Sequence, residues 1–133
     1  MKDLFASYEQ AILLKELGFD EPCITYYYED SKTIRTGLSI HINNGWTYSG
    51  TKRLETTLAP LKTQVFKWFR QKYNLFGCID LQCSSPAHWY VRIDDIIEND
   101  FVYHSEDYHI KYNTYEEAED VCINKLIEII KTQ

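Results

Sequence analysis

Glycine and proline are scarce in this chain of 133 residues, at 5 and 3. That scarcity excludes a low-complexity linker and a collagen-like repeat, and the length suits a single domain over residues 1–133. No stretch approaches the roughly 20 uninterrupted apolar residues of a membrane span, and the opening MKDLFASYEQ has no signal-peptide apolar region, so the expected location is the cytoplasm and no membrane partner is expected. The four cysteines, Cys23, Cys78, Cys83 and Cys122, contain no CxxC pair. They read as reduced small hydrophobes, with Cys122 on the apolar face of a helix and a Cys78–Cys83 bridge as the alternative.

Motifs for chemistry are equally sparse. The five glycines, 18, 37, 45, 50 and 77, stand alone, so no phosphate-cradling loop is formed, and Ser84-Ser85 lacks a GxSxG elbow. His41, His88, His104 and His109 are scattered; the close pair, five apart, would point to opposite faces of a strand. No metal and no cofactor are expected, and a catalytic residue is not identified. Asp94, Asp95, Glu98 and Asp100, with Glu106 and Asp107 nearby, match no calcium loop and read as a solvated acidic stretch.

What the chain does have is charge asymmetry and aromatics. The net charge of −6 argues against general nucleic-acid binding, which needs Lys and Arg to neutralise phosphates. Residues 51–73 carry Lys52, Arg53, Lys62, Lys67, Arg70 and Lys72 against Glu55, a net +5, whereas residues 94–120 carry ten acids against Lys111, a net −9. The acidic region could imitate nucleic-acid charge, and the two segments could meet in a homo-oligomer.

Ser7 and Gln10 fit a capping box for a helix from about Tyr8 to Leu17, closed by Gly18 with Phe19 folding back on Leu14. Residues 24–28 and 34–42 read as strands, and Asn43-Asn44-Gly45 predicts a tight hairpin that returns Trp46 and Tyr48. Residues 49–62 look like a connection. Thr63 would cap a central helix, Gln64 to Tyr73, ended by Asn74. Short runs at 77–81, 89–93, 101–103 and 108–112 suggest an antiparallel meander, and Thr114 opens a final helix over about 115–131. Both terminal helices begin alike, Ser-Tyr-Glu-Gln-Ala and Thr-Tyr-Glu-Glu-Ala, a likeness that either convergent capping or duplication explains.

The 11 Tyr, 6 Phe and 3 Trp exceed what a core of this size requires. Tyr26, Tyr27 and Tyr28 are consecutive, so on a strand one or two rings must leave the core face, either onto the surface or under a covering helix. Tyr26 and Tyr28, together with Trp46, Tyr48, Trp68 and Arg70, form the candidate binding set. Lys67, Arg70 and Lys72 beside Trp68 could also stack a base and hold phosphate, although a solvated helix face accounts for them.

Ala59-Pro60 followed by Gln64-Val65-Phe66-Lys67-Trp68-Phe69-Arg70-Gln71-Lys72-Tyr73 resembles the "AP…QAFRWFREKY" segment of a family of small uncharacterised proteins encoded by phages and prophages of gut Bacteroidales. Tyr8-Glu9-Gln10-Ala11 through Cys23 is similar to that family's opening, and Thr114-Tyr115-Glu116-Glu117-Ala118-Glu119 through Cys122 and Lys125 to Ile129 resembles its ending. Val65 stands for the usual Ala and Lys67 for the usual Arg. The resemblance implies a mobile-element origin and a bacterial host cytoplasm, and carries over no functional residue.

The expected fold is therefore α+β, a small antiparallel sheet with N-terminal, central and C-terminal helices packed on it. The expected function is a non-enzymatic accessory role that binds a host or phage macromolecule, foremost a protein. The alternative is a small-ligand or nucleotide-binding or processing protein whose aromatic pocket is lined by Tyr26, Tyr28, Trp46, Trp68 and Arg70.

Overall fold

The computed structural model describes residues 2–41, 45–49 and 51–133, and side-chain surroundings for residues 3–35, 51 and 54–133. Its helices are α1 (Tyr8–Glu16), α2 (Lys62–Tyr73) and α3 (Tyr115–Lys131). The strands are β1 (Cys23–Tyr28), β2 (Ile34–His41), β3 (Gly45–Ser49), β4 (Lys52–Leu58), β5 (Leu75–Gln82), β6 (His88–Asp95) and β7 (Asp100–His104). The expected α+β class is what forms. Its strands are divided between two antiparallel sheets, β2-β1-β4-β3 and β5-β6-β7, and the chain separates into two compact units, residues 1–65 and 66–133.

In the first unit the Ser7 hydroxyl accepts from the Gln10 amide while the Gln10 side chain accepts from the Ser7 amide at 2.9 Å, the reciprocal capping box expected of that spacing. The helix stops because Gly18 takes a φ of 91°. There the Gly18 and Phe19 amides reach the carbonyls of Lys15 and Leu14, and Phe19 and Leu14 are both buried. Strand β1 alternates: Cys23, Thr25 and Tyr27 are buried and Ile24 is exposed. Tyr27 packs with Ala11 and Ala59, flanked by Tyr8 and Ile34, and its hydroxyl donates to the Ala6 carbonyl at 2.7 Å.

Three expectations change here. The tight turn at Asn43-Asn44 lies outside the described residues, but the strand after it, β3, pairs with β4 (Trp46↔Glu55, Ser49↔Lys52), and among the described residues β2 and β3 are not neighbours. Residues 52–58, read as part of a connection, are an inner strand. Lys52-Arg53-Leu54-Glu55-Thr56-Thr57-Leu58 looked polar, yet Thr56 and Thr57 are buried: β-branched threonine fits a pleated sheet when its hydroxyl finds a partner. The central helix also starts earlier than Thr63 implied. Gln64 performs the capping, its Oε1 accepting from the Leu61 amide at 2.9 Å, and Asn74, at a φ of 58°, ends the helix as expected.

In the second unit β5, β6 and β7 form the expected meander, with continuous pairing from Leu75↔Asp95 to Gln82↔His88. The fourth expected strand is absent. Residues 105–108 make a 3-10 turn, His109 is left-handed at a φ of 58°, and the chain rejoins β6 only at the Trp89–Tyr112 bridge. Ser105 compensates, its buried hydroxyl accepting the Val91 amide at 2.9 Å. Helix α3, capped by Thr114 on the Glu117 amide, lays Ala118, Cys122, Ile123, Leu126 and Ile127 against this sheet. Its close approach uses Gly77, where a Cβ would lie 2.9 Å from Cys122 Sγ and 3.1 Å from Leu126 Cδ1.

Candidate functional site

The residues selected from sequence fall in both units, and each is described in its own. Tyr26 and Tyr28 are half-buried on β1, opposite in direction to the buried Tyr27, so two rings of the three leave the α1 side. Their rings meet edge to face at 5.4 Å, with the hydroxyls 3.5 Å apart. That hydrogen bond, and next burial, raise the Tyr26 phenol above its ordinary range. Trp46 and Tyr48 lie on β3, opposite Glu55 and Arg53 in the register; their side chains are outside the described set. In the second unit Trp68 is buried, edge-on to Phe69 and Tyr73. Arg70 is half-buried on α2, with its guanidinium 6.0 Å from the Phe76 ring.

Across the strands of the second sheet runs a line of polar side chains on the face opposite Val91 and Ile93. Arg92 Nε donates to Asp94 at 2.9 Å, and Arg92 reaches Asp80 at 3.4 Å. His104 Nε2 lies 3.3 Å from the other Asp94 oxygen. The Cys78 Sγ donates to Asp80 at 3.7 Å. Burial, and then the Asp80 charge, push this thiol up to about 11, which favours its protonated form at neutral pH. Burial likewise raises Cys23 to about 12 and pushes Cys122 up. All four cysteines are free thiols. Arg92 thus reaches both carboxylates and His104 lies beside Asp94, so these side chains are engaged with one another.

A cleft of about 490 Å³ lies in the same unit, lined by Tyr90, Glu106, Asp107, His109 and Lys111. Trp68 and Arg70 of the same unit are not among its described lining residues. The Tyr90 hydroxyl is already engaged, donating to Gln82 Oε1 at 2.5 Å.

The feature missed at the sequence level is the turn between β6 and β7. Ile96 is 49% exposed, Ile97 69%, Phe101 71% and Val102 40%. These four large apolar side chains occupy seven consecutive positions, interleaved with Glu98, Asn99 and Asp100. The turn is held firmly. Asp95 Oδ1 accepts from both the Ile97 and Glu98 amides at 2.9 Å, the Ile96 amide donates to the Asn74 carbonyl at 2.8 Å, and Asn99 takes a φ of 53°. The available signal was Ile96-Ile97 inside an acidic run; charge dominated the reading of that stretch.

Among the described residues no group of three or more His, Cys, Asp or Glu side chains could hold a metal ion, and no helix is long and apolar enough to cross a membrane. Comparison with protein-family models, with curated proteins and with solved structures returns no match, so the site rests on its own geometry.

Proposed function

We propose that this chain is a non-enzymatic binding protein of a phage or related mobile element, acting on a protein partner in its bacterial host. One observation supports this reading above others: among the described residues the second unit displays large apolar side chains, Ile97 and Phe101 foremost, on an acidic hairpin, whereas Asp80, Arg92, Asp94 and His104 are engaged with one another. Exposed apolar side chains gathered in one place and rimmed by polar residues mark interaction surfaces, and complementary charge steers a partner onto them.

Affinity purification of the tagged chain from nuclease-treated host lysate, at low and high salt, tests the reading. A stoichiometric protein partner is the expected result. Recovery of the chain alone would reject it and promote the small-ligand alternative, which draws its support from the cleft around Tyr90 and Lys111. A thermal-shift screen of nucleotides and metabolites would then find a ligand there.

A further inference from the structure

We infer that the β6–β7 turn is the docking element: Ile96, Ile97 and Phe101 enter an apolar pocket on a partner protein whose rim carries Lys and Arg. This rests on the binding reading above and names the surface and the chemistry of the partner. Hairpin turns normally present polar residues to water, whereas the two adjacent isoleucines at this tip leave 49% and 69% of their surface exposed. Rigidity adds to the case. The tip's backbone is fixed by Asp95, by the Asn74 carbonyl and by the left-handed Asn99, so docking immobilises little that is not already ordered.

Charge selects the occupant. Asp95, Glu98 and Asp100 surround the isoleucines, and among the described residues no Lys or Arg forms an ion pair with them. Asp94 beneath them is shared between Arg92 and His104. An anionic lipid surface or a nucleic acid would be repelled by this collar, whereas a basic rim would be attracted to it and would orient the apolar tip.

The test uses the full-length chain in host lysate, with a photo-crosslinking phenylalanine analogue replacing either Ile97 or, as control, the exposed Ile24 of the first unit. Cross-linking from position 97 and not from 24, to a basic protein at a peptide that combines apolar residues with Lys or Arg, is the expected result. Ile97→Asp should weaken that complex by about 30-fold or more, as removal of an interface anchor does. Glu98→Lys, at an exposed position with no role in packing, should weaken it severalfold and reduce its salt dependence. If the same partner binds wild type and both variants equally, or cross-links from position 24, the tip is not the docking element although the binding reading survives. A wild-type chain that captures no partner overturns both. Sedimentation with anionic phosphatidylserine vesicles, or a cross-link from position 97 to a second copy of the chain, would overturn the partner assignment.

Discussion

The two units use their large side chains in opposite ways. In the first, tyrosines are turned to one another and to the backbone: Tyr27 donates to Ala6, Tyr8 lies edge-on to Tyr27 at 5.6 Å, and Tyr26 meets Tyr28. Among its described side chains only Leu4 and Ile24 are large, apolar and exposed. The second unit exposes Phe76, Leu81, Ile96, Ile97, Phe101, Val102, Tyr108, Ile110 and Tyr115. The aromatic excess of the sequence is thus no measure of which large side chains are exposed. Location decides: an apolar residue in a turn informs more than a tyrosine cluster on a strand, because the strand offers the cluster internal partners.

The contrast breaks most severely where α3 meets its sheet. Leu126 is fully buried, and Leu126→Ala should cost about 2–5 kcal/mol in urea unfolding through lost burial and a residual cavity. Phe101→Ser, removing a larger side chain from the displayed surface, should change stability by no more than about 0.5 kcal/mol. Equal losses from the two would contradict the division between core and display. The next effect is at Gly77. Gly77→Ala should destabilise by about 1–3 kcal/mol, since its new methyl would overlap Cys122 Sγ. Adding Cys122→Ala should relieve part of that loss, and strict additivity of the two changes would show that the overlap is not the cause.

A smaller effect sharpens the account of the first unit. Tyr27→Phe keeps the ring and deletes the hydroxyl that serves the Ala6 carbonyl in a buried setting, so it should cost about 1 kcal/mol. Tyr28→Phe, on the half-buried opposite side of the same strand, should cost less. A larger loss from Tyr28 would mean that the outer tyrosine pair, and not the α1 side, holds the sheet.

Local signals were the legible part of this fold. Ser7 with Gln10, Gly18 with Phe19, and Thr114 with Glu117 each satisfy backbone groups within a few residues, and all three behave as their sequence requires. Pairing between distant segments was less legible. Asn43-Asn44-Gly45 suggested that β3 pairs with β2, but pairing is decided by the whole sheet, and β4, disguised by its Lys, Arg and Thr residues, is the partner of both β1 and β3. Of the six candidate residues, Tyr26 and Tyr28 do leave the α1 side, while Trp68 is taken into the packing of α2. A hydrophobic ring on an amphipathic helix reads alike in sequence whether its neighbours cover it or not. The Ile96–Ile97 tip escaped for the converse reason, because only the structure shows those side chains to be exposed.

The smallest expected effect tests how α1 is fastened to its sheet. Lys15 donates to Glu29 at 2.8 Å, and the buried Thr57 hydroxyl donates to the same carboxylate oxygen at 2.6 Å. These two hydrogen bonds, Lys15 first, hold the Glu29 carboxyl below its ordinary range against the opposing effect of burial. A folded-state pKa below the unfolded one contributes stability that is present above the unfolded value of about 4.5 and is lost as pH falls through the folded value. Both side chains retain about a third of their exposure, so the contribution should stay under about 1 kcal/mol. Glu29→Gln, measured by urea unfolding from neutral pH down to below 4, should therefore be slightly less stable than wild type at neutrality and should converge with it in acid. A constant difference across that range would mean that packing around Thr57, and not the Glu29 charge, fastens the helix.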